Sequence, residues 1–259
     1  MTDPIGFLGL SHLGVVMSAC WASLGDRVIA VGEPVEVAEP GLDALEVGDR
    51  LTITHDPSQL ARCALVFVTL DTSDVAAVER LLESAVPHLR DDAVVVVMSQ
   101  VPPGTTRRLA IRWQPRPFYY LAETLITGKA VERCLHPDRF ILGHVSHFPI
   151  DIGHRFVGEI TPRLWDSLAR FPCPIVAMSY ESAEFAKLAI NLYLASSIEY
   201  ANRMAWAAGR IGADWLNEVV PALRLDPRIG RDAYLLPGTL GPNIRRDVTT
   251  YAKLFGLEV

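Results

Sequence analysis

The chain has 259 residues, half of them apolar, which is enough to bury one large or two modest domain cores. Its formal net charge of −6 argues against a polyanion groove, so no nucleic-acid partner is expected. MTDPIGFLGL carries no basic n-region, and the most apolar run, AVVVVM at 93–98, is too short to cross a bilayer, so a cytoplasmic location without a membrane partner is expected.

Strand and helix signals alternate along the first two-thirds. IGFLGL (5–10) reads as a short apolar strand, followed by a glycine-bearing turn and a helix through VVMSACWASLG that ends near Gly25. RVIAVG (27–32) is the next strand. EPVEVAEPGLDALEVGDR reads as a loop with at most one short helix, and LTITH and ALVFVTL supply two more strands. SDVAAVERLLESAVPHL has helical spacing with Ser73 as its expected N-cap, and AVVVVMSQ is a buried strand running into the loop VPPGTT. FYYLA, RFILG and PCPIVAMS each hold a further strand. Such alternation predicts helices on both faces of a mainly parallel sheet.

From Ser182 the pattern changes to about 28 residues of proline-free helical sequence, roughly 40 Å long, with Ala183, Phe185, Leu188, Leu192 and Ile198 in its apolar stripe. ADWLNEVVPALRL adds a shorter helix, and DVTTYAKLFGLEV begins another that soon ends. The predicted class is α/β, with a Rossmann-like parallel-sheet domain over 1–175 and a helical domain with a long central helix over 176–259. Cys20, Cys63, Cys134 and Cys173 form no CxxC pair and require no disulfide; Cys20 and Cys63 read as core residues. His144, His147 and His154, with Asp151 nearby, match no known ligand spacing, so no metal is expected.

GLSHLG at 9–14 sits between the first strand and its helix, where a dinucleotide fingerprint belongs. Gly9, Leu13 and Gly14 keep the pattern, while Ser11 occupies the place of the second glycine, where a Cβ competes with a pyrophosphate. Serine is the mildest such intrusion, and its hydroxyl is available in principle to donate to phosphate at the helix N-terminus. Gly32 ends the second strand and Glu33 follows it, an acidic side chain expected to meet a ribose hydroxyl and to favour NAD over NADP. Ser99, following the buried strand AVVVVM, is a further cofactor contact or else only a partner for nearby backbone.

Five segments then carry a resemblance. EPGLDAL (39–45), SQVPPGTTR (99–107), HPDRFILG (136–143), SAEFAKLAINLYLA (182–195) and DPRIG (226–230) followed by YLLPGTLGPNIRRD resemble, in order, motifs of the UDP-glucose/GDP-mannose dehydrogenases. That family oxidises a sugar C6 alcohol to a carboxylate with two NAD molecules. It uses a Rossmann domain, a central domain with a dimer-forming helix, and a second Rossmann-like domain. The resemblance implies NAD as cofactor, a sugar nucleotide or related polar metabolite as ligand, and a homodimer through the long helix. The chain stops at Val259, before that second domain, so a partner protein completing the cleft, or a smaller ligand, is also expected.

The resemblance further implies Glu123, Lys187, Asn191, Asn243 and Asp247 as catalytic positions and Arg228 and Arg246 as substrate contacts. Lys187 and Asn191 match the family pair that holds a water or oxyanion beside the sugar; the plainer reading is a solvent-facing lysine and an interface asparagine. Arg245 and Arg246 equally suit a surface basic pair. Asn243 stands where the family has its nucleophilic cysteine, Arg246 replaces a lysine, and Thr127 replaces a second glutamate. A carboxamide nitrogen is delocalised and cannot form the thiohemiacetal and thioester. Two functions follow: a divergent homologue limited to one alcohol oxidation or a redox-neutral sugar reaction, or a non-catalytic scaffold or regulatory dimer.

Overall fold

The computed structural model describes residues 3–122, 124–145 and 160–256. They divide into two compact units, one through Lys187 and one from Leu188.

The first unit is built on eight strands in the order β3-β2-β1-β4-β5-β6-β7-β8. These are β1 Ile5–Leu8, β2 Val28–Val31, β3 Leu51–Thr54, β4 Leu65–Val68, β5 Val94–Val97, β6 Phe118–Leu121, β7 Phe140–His144 and β8 Ile175–Ser179. All neighbours are parallel except β6 and β7. β1, β2, β4, β5 and β6 are buried at every position, as continuous apolar runs must be when helices cover both faces. The helices of this unit are α1 His12–Ser23, α2 Val75–Ala85, α3 Thr105–Arg112, α4 Ala130–Leu135 and α5 Pro162–Ala169. The sheet fulfils the expected Rossmann-like class and continues through Ser179.

On one face Phe7 stacks on Phe67 at 5.3 Å between ring centroids, and Trp21 of α1 meets Phe67 edge-on at 4.9 Å. Each such ring removes enough apolar surface from water to contribute about 2–3 kcal/mol, so α1 is fixed firmly over β1 and β4. Cys20 and Cys134 belong to the same core. Helix α1 stops before Gly25, whose φ of +100° a side chain would resist. One expectation changes: α2 is capped by Asp74, not Ser73. The Asp74 carboxylate accepts from the Ala76 N–H at 3.0 Å, placing a negative charge against the helix's positive end.

Helix α6, Tyr180–Ile211, begins in the first unit and supplies the start of the second. Ser179 sets its start by accepting from the Ser182 N–H at 3.2 Å, and Gly212, at φ +76°, follows its end. The second unit continues with a π-helical turn at Trp215–Val219, then α7 Val220–Arg224 and α8 Pro242–Phe255. Its small core gathers Ala201, Ala208, Trp215, Val220 and Leu235, with the indole N–H of Trp215 donating to the Leu235 carbonyl at 3.1 Å. Asn202 holds Gly238 through both its amide atoms, fixing the segment that leads into α8. That helix starts five residues before the expected DVTTYAKLF run. Pro242 occupies its first turn with φ already set for a helix, so Asn243 and Asp247 are helical and not part of a loop.

Candidate functional site

In an open sheet of this topology a ligand binds beyond the carboxyl ends of the strands, where the order reverses. Here that point lies between β1 and β4, and the residues beyond it are Gly9–Gly14 and Thr69–Asp71. Gly9 holds φ +94°. Its carbonyl accepts from the buried Thr69 hydroxyl at 2.7 Å, locking the turn to the end of β4. Gly14 lets α1 sit directly on the turn, since a Cβ there would stand 2.0 Å from the Gly9 oxygen and 2.8 Å from Thr69 Oγ1. The N–H groups of His12, Leu13 and Gly14 open α1 and take no partner from within the helix, which makes its start attractive to an anion.

The Ser11 hydroxyl donates to the Thr69 carbonyl at 2.7 Å and accepts from the Asp71 N–H at 2.9 Å, so it latches two loops together at the turn. The Leu13 side chain lies in the core, leaving only its backbone at the turn. Glu33 is exposed just past β2 and lies 3.5 Å from His55. The Ser99 hydroxyl, at the end of β5, is buried and has no hydrogen-bond partner among the described residues. An orphaned hydroxyl of that kind, a glycine-lined turn and an open helix start fit a dinucleotide.

Two buried carboxylates organise the surroundings. The Glu39 side chain is fully inaccessible; it faces His12 Nε2 at 2.8 Å and accepts from the N–H groups of Gly128 and Ala130. Burial alone raises its pKa, but the Gly128 N–H, His12 and the Ala130 N–H outweigh that and leave it below the usual value. Glu184 of α6 caps α3, accepting from Gly104 N at 2.6 Å and Thr106 N at 2.7 Å. There burial wins over the donors and the pKa is raised. Arg107 pairs with Glu181 beside it. EPGL thus supplies a buried carboxylate, and PGTT the backbone donors that receive one.

In the second unit Asn191 and Asp247 are both buried, and the Asn191 amide donates to Asp247 Oδ2 at 2.5 Å. Arg246 reaches the other oxygen of Asp247 at 3.8 Å. Asn243, in the first turn of α8, is exposed. Arg228 is 87% exposed and forms a two-pronged pair with Asp226, at 3.0 and 2.6 Å. Lys187 is buried one helical turn before Asn191. Glu123, His147, Asp151 and His154 lie outside the described residues. All four cysteines belong to the first unit, where Cys20, Cys63 and Cys134 are buried. Burial pushes the Cys63 thiol up to about 12, so it is no nucleophile near neutral pH. Sequence reasoning missed the roles of His12, Glu39 and Thr69; of these, His12 lies in GLSHLG and Glu39 in the EPGL motif.

Residues 3–156 match the NAD binding domain of the UDP-glucose/GDP-mannose dehydrogenase family, and 181–255 match that family's central domain. The chain belongs to this family. It is 27% identical over 257 residues to the UDP-glucose 6-dehydrogenase TuaD of Bacillus subtilis, covering 88% of this chain and 53% of that protein. Identity to a UDP-glucose 6-dehydrogenase of Pseudomonas aeruginosa is 29% over 257 residues, covering 86% and 54%. The solved UDP-glucose dehydrogenase of Pyrobaculum islandicum superposes with a TM-score of 0.77 at 28% identity, covering all of this chain and 66% of that one. The chain thus spans about half the length of the curated relatives it matches. It carries the family's NAD-binding and central domains, and among its described residues no helix is long and apolar enough to cross a membrane.

Proposed function

We propose that this chain binds NAD at the β1–α1 turn and acts on an alcohol of a nucleotide sugar or similar polar metabolite, without a cysteine thioester. The reaction is a single oxidation or a redox-neutral rearrangement through a transient carbonyl. The observation that carries this reading is in the first turn of α8, where an exposed amide, Asn243, stands four residues before the buried Asp247, which Asn191 holds. The thiol position has changed while the acid and its partner remain.

When bound, NAD supplies the hydride acceptor. Everything else falls to side chains of this protein. Gly9 and Gly14 shape the turn, the start of α1 would hold the pyrophosphate, and Glu33 would meet a ribose hydroxyl. Asp247 takes the alcohol proton, with Glu123 and Lys187 as the other proton-handling groups. Asn191 keeps Asp247 oriented, and Asn243 serves as a hydrogen bonder. Arg228 and Arg246 supply positive charge for a phosphate. The product of one oxidation is an aldehyde or ketone; Asn243 offers no sulfur to carry it on to an acyl intermediate.

Incubation without oxygen with NAD and UDP-glucose or GDP-mannose, followed by mass spectrometry, tests the reading. Expected is NAD binding and a sugar product that is either two hydrogens lighter or isomerised. Formation of a sugar acid, or the absence of any NAD binding, counts against it.

A second reading rests on α6, where Tyr193, Tyr200, Trp206 and Ile211 are all exposed. Large apolar side chains on one long helix suit a homodimer seam or a dock for another protein, so the chain can serve as a scaffold or regulatory dimer. Sedimentation distinguishes the two. A lone protomer that turns over NAD removes the scaffold reading; a stable dimer that binds no NAD favours it.

A further inference from the structure

His12 at the dinucleotide turn contacts Glu39 of the loop after β2, and Glu39 in turn accepts from the segment after β6. His12 is the first residue of α1, so whatever occupies the helix start lies beside it. Its ring is about one-third exposed, while its partner Glu39 is sealed from solvent. Glu39 comes from the loop after β2 and spends its remaining lone pairs on Gly128 and Ala130, at 2.9–3.2 Å. Gly128 ends the stretch YYLAETLITG, and Ala130 opens α4. Three chain segments therefore meet at one buried carboxylate, and both the His12 ring and Gly128 reach solvent beside it.

We propose that His12 and Glu39 are a positioning pair that makes the order of residues 124–130 depend on occupancy of the dinucleotide turn. A buried carboxylate must keep all its partners, because losing one leaves charge uncompensated in a dry site. Anchoring His12 from the ligand side therefore holds Glu39, and Glu39 holds the N–H groups of Gly128 and Ala130. Freeing His12 slackens the same chain of contacts. Coupling of this kind is reciprocal: what orders 124–130 also strengthens binding at the turn. The inference rests on the turn being a dinucleotide site, and it adds a link to the segment that follows Glu123, which the resemblance implies as a catalytic position.

Amide hydrogen exchange on the full chain, with and without NAD, decides it, using wild type, His12→Ala and His12→Gln. His12 is partly exposed, so its replacement leaves the core intact, and glutamine keeps an N–H donor of similar reach. In the ligand-free protein His12→Ala should exchange about tenfold faster at Gly128 and Ala130 than wild type, with β5 unchanged. NAD should slow these two amides in wild type and not in His12→Ala, whose Kd for NAD should rise about tenfold. His12→Gln should restore both effects. A purely structural contact would not make exchange at residue 128 respond to NAD. Equal NAD affinity in wild type and His12→Ala, or an unchanged response at Gly128 and Ala130, overturns the proposal. If wild type takes no NAD, the dinucleotide reading fails separately; unchanged ligand-free exchange in His12→Ala then overturns the pair as well.

Discussion

The turn at Gly9–Gly14 and the first turn of α8 carry opposite kinds of constraint. At Gly14 a single Cβ would collide with the Gly9 backbone oxygen, so the residue is dictated by space whatever ligand binds. At Asn243 the side chain faces solvent, and nothing in the packing selects one residue over another. A position held by sterics keeps its residue when chemistry drifts, whereas an exposed nucleophile is kept only by the reaction it performs. On the reading proposed above, the retained turn goes with an intact scaffold and the altered α8 start with altered chemistry.

The largest way to break that comparison is Gly14→Ala. It should destabilise the first unit by about 3 kcal/mol, read as a lower denaturation midpoint, and abolish NAD binding. A variant with wild-type stability would show that the close approach at the turn is not a constraint. Next, Glu184→Ala leaves the half-buried Gly104 and the buried Thr106 N–H groups without their acceptor and should cost about 2 kcal/mol. In the second unit, Asn191→Ala removes the donor to Asp247 and should cost about 1–2 kcal/mol, with a greater loss of turnover than of binding.

The two buried carboxylates give a finer contrast through pH. Glu39 is lowered in the fold, so its contribution is present above the unfolded carboxylate value and is lost as pH falls through its folded value. Glu184 is raised, so its contribution is full below the unfolded value and is lost as pH rises through its folded value. Stability measured against pH should therefore show Glu39→Gln most harmful near neutral pH. Wild type should lose ground relative to Glu184→Gln as pH rises through the range just above ordinary carboxylates. Matching slopes for the two variants would contradict the opposite signs. The smallest effect belongs to Asn243→Ala, which should change stability by less than about 0.5 kcal/mol because the side chain is exposed.

Legibility in the sequence followed the same divide. Continuous apolar runs such as VVVV at 94–97 can only be strands covered on both faces, so the sheet was readable, and so was the long helix. The start of α8 was not, because GTLGPNIRRD contains two glycines and a proline that read as a loop until Pro242 is placed in a first turn. Ser11 was placed correctly at the second fingerprint position, but its hydroxyl's partners are a carbonyl and an N–H some sixty residues away, beyond any local pattern. His12 and Glu39 are separated by 27 residues, and Glu184 lies about eighty residues from the donors it caps. Side-chain-to-backbone contacts across such distances leave no periodic trace.

The most direct test is product analysis of Asn243→Cys beside wild type, each supplied with NAD and UDP-glucose without oxygen. The present account predicts that both proteins bind NAD and that neither forms UDP-glucuronate, since Ser11, Gly32 and Thr127 still differ from the family pattern in the mutant. A sugar acid from wild type would contradict the loss of thioester chemistry itself. A sugar acid from the mutant alone would show that one side chain was all that separated this chain from the full reaction.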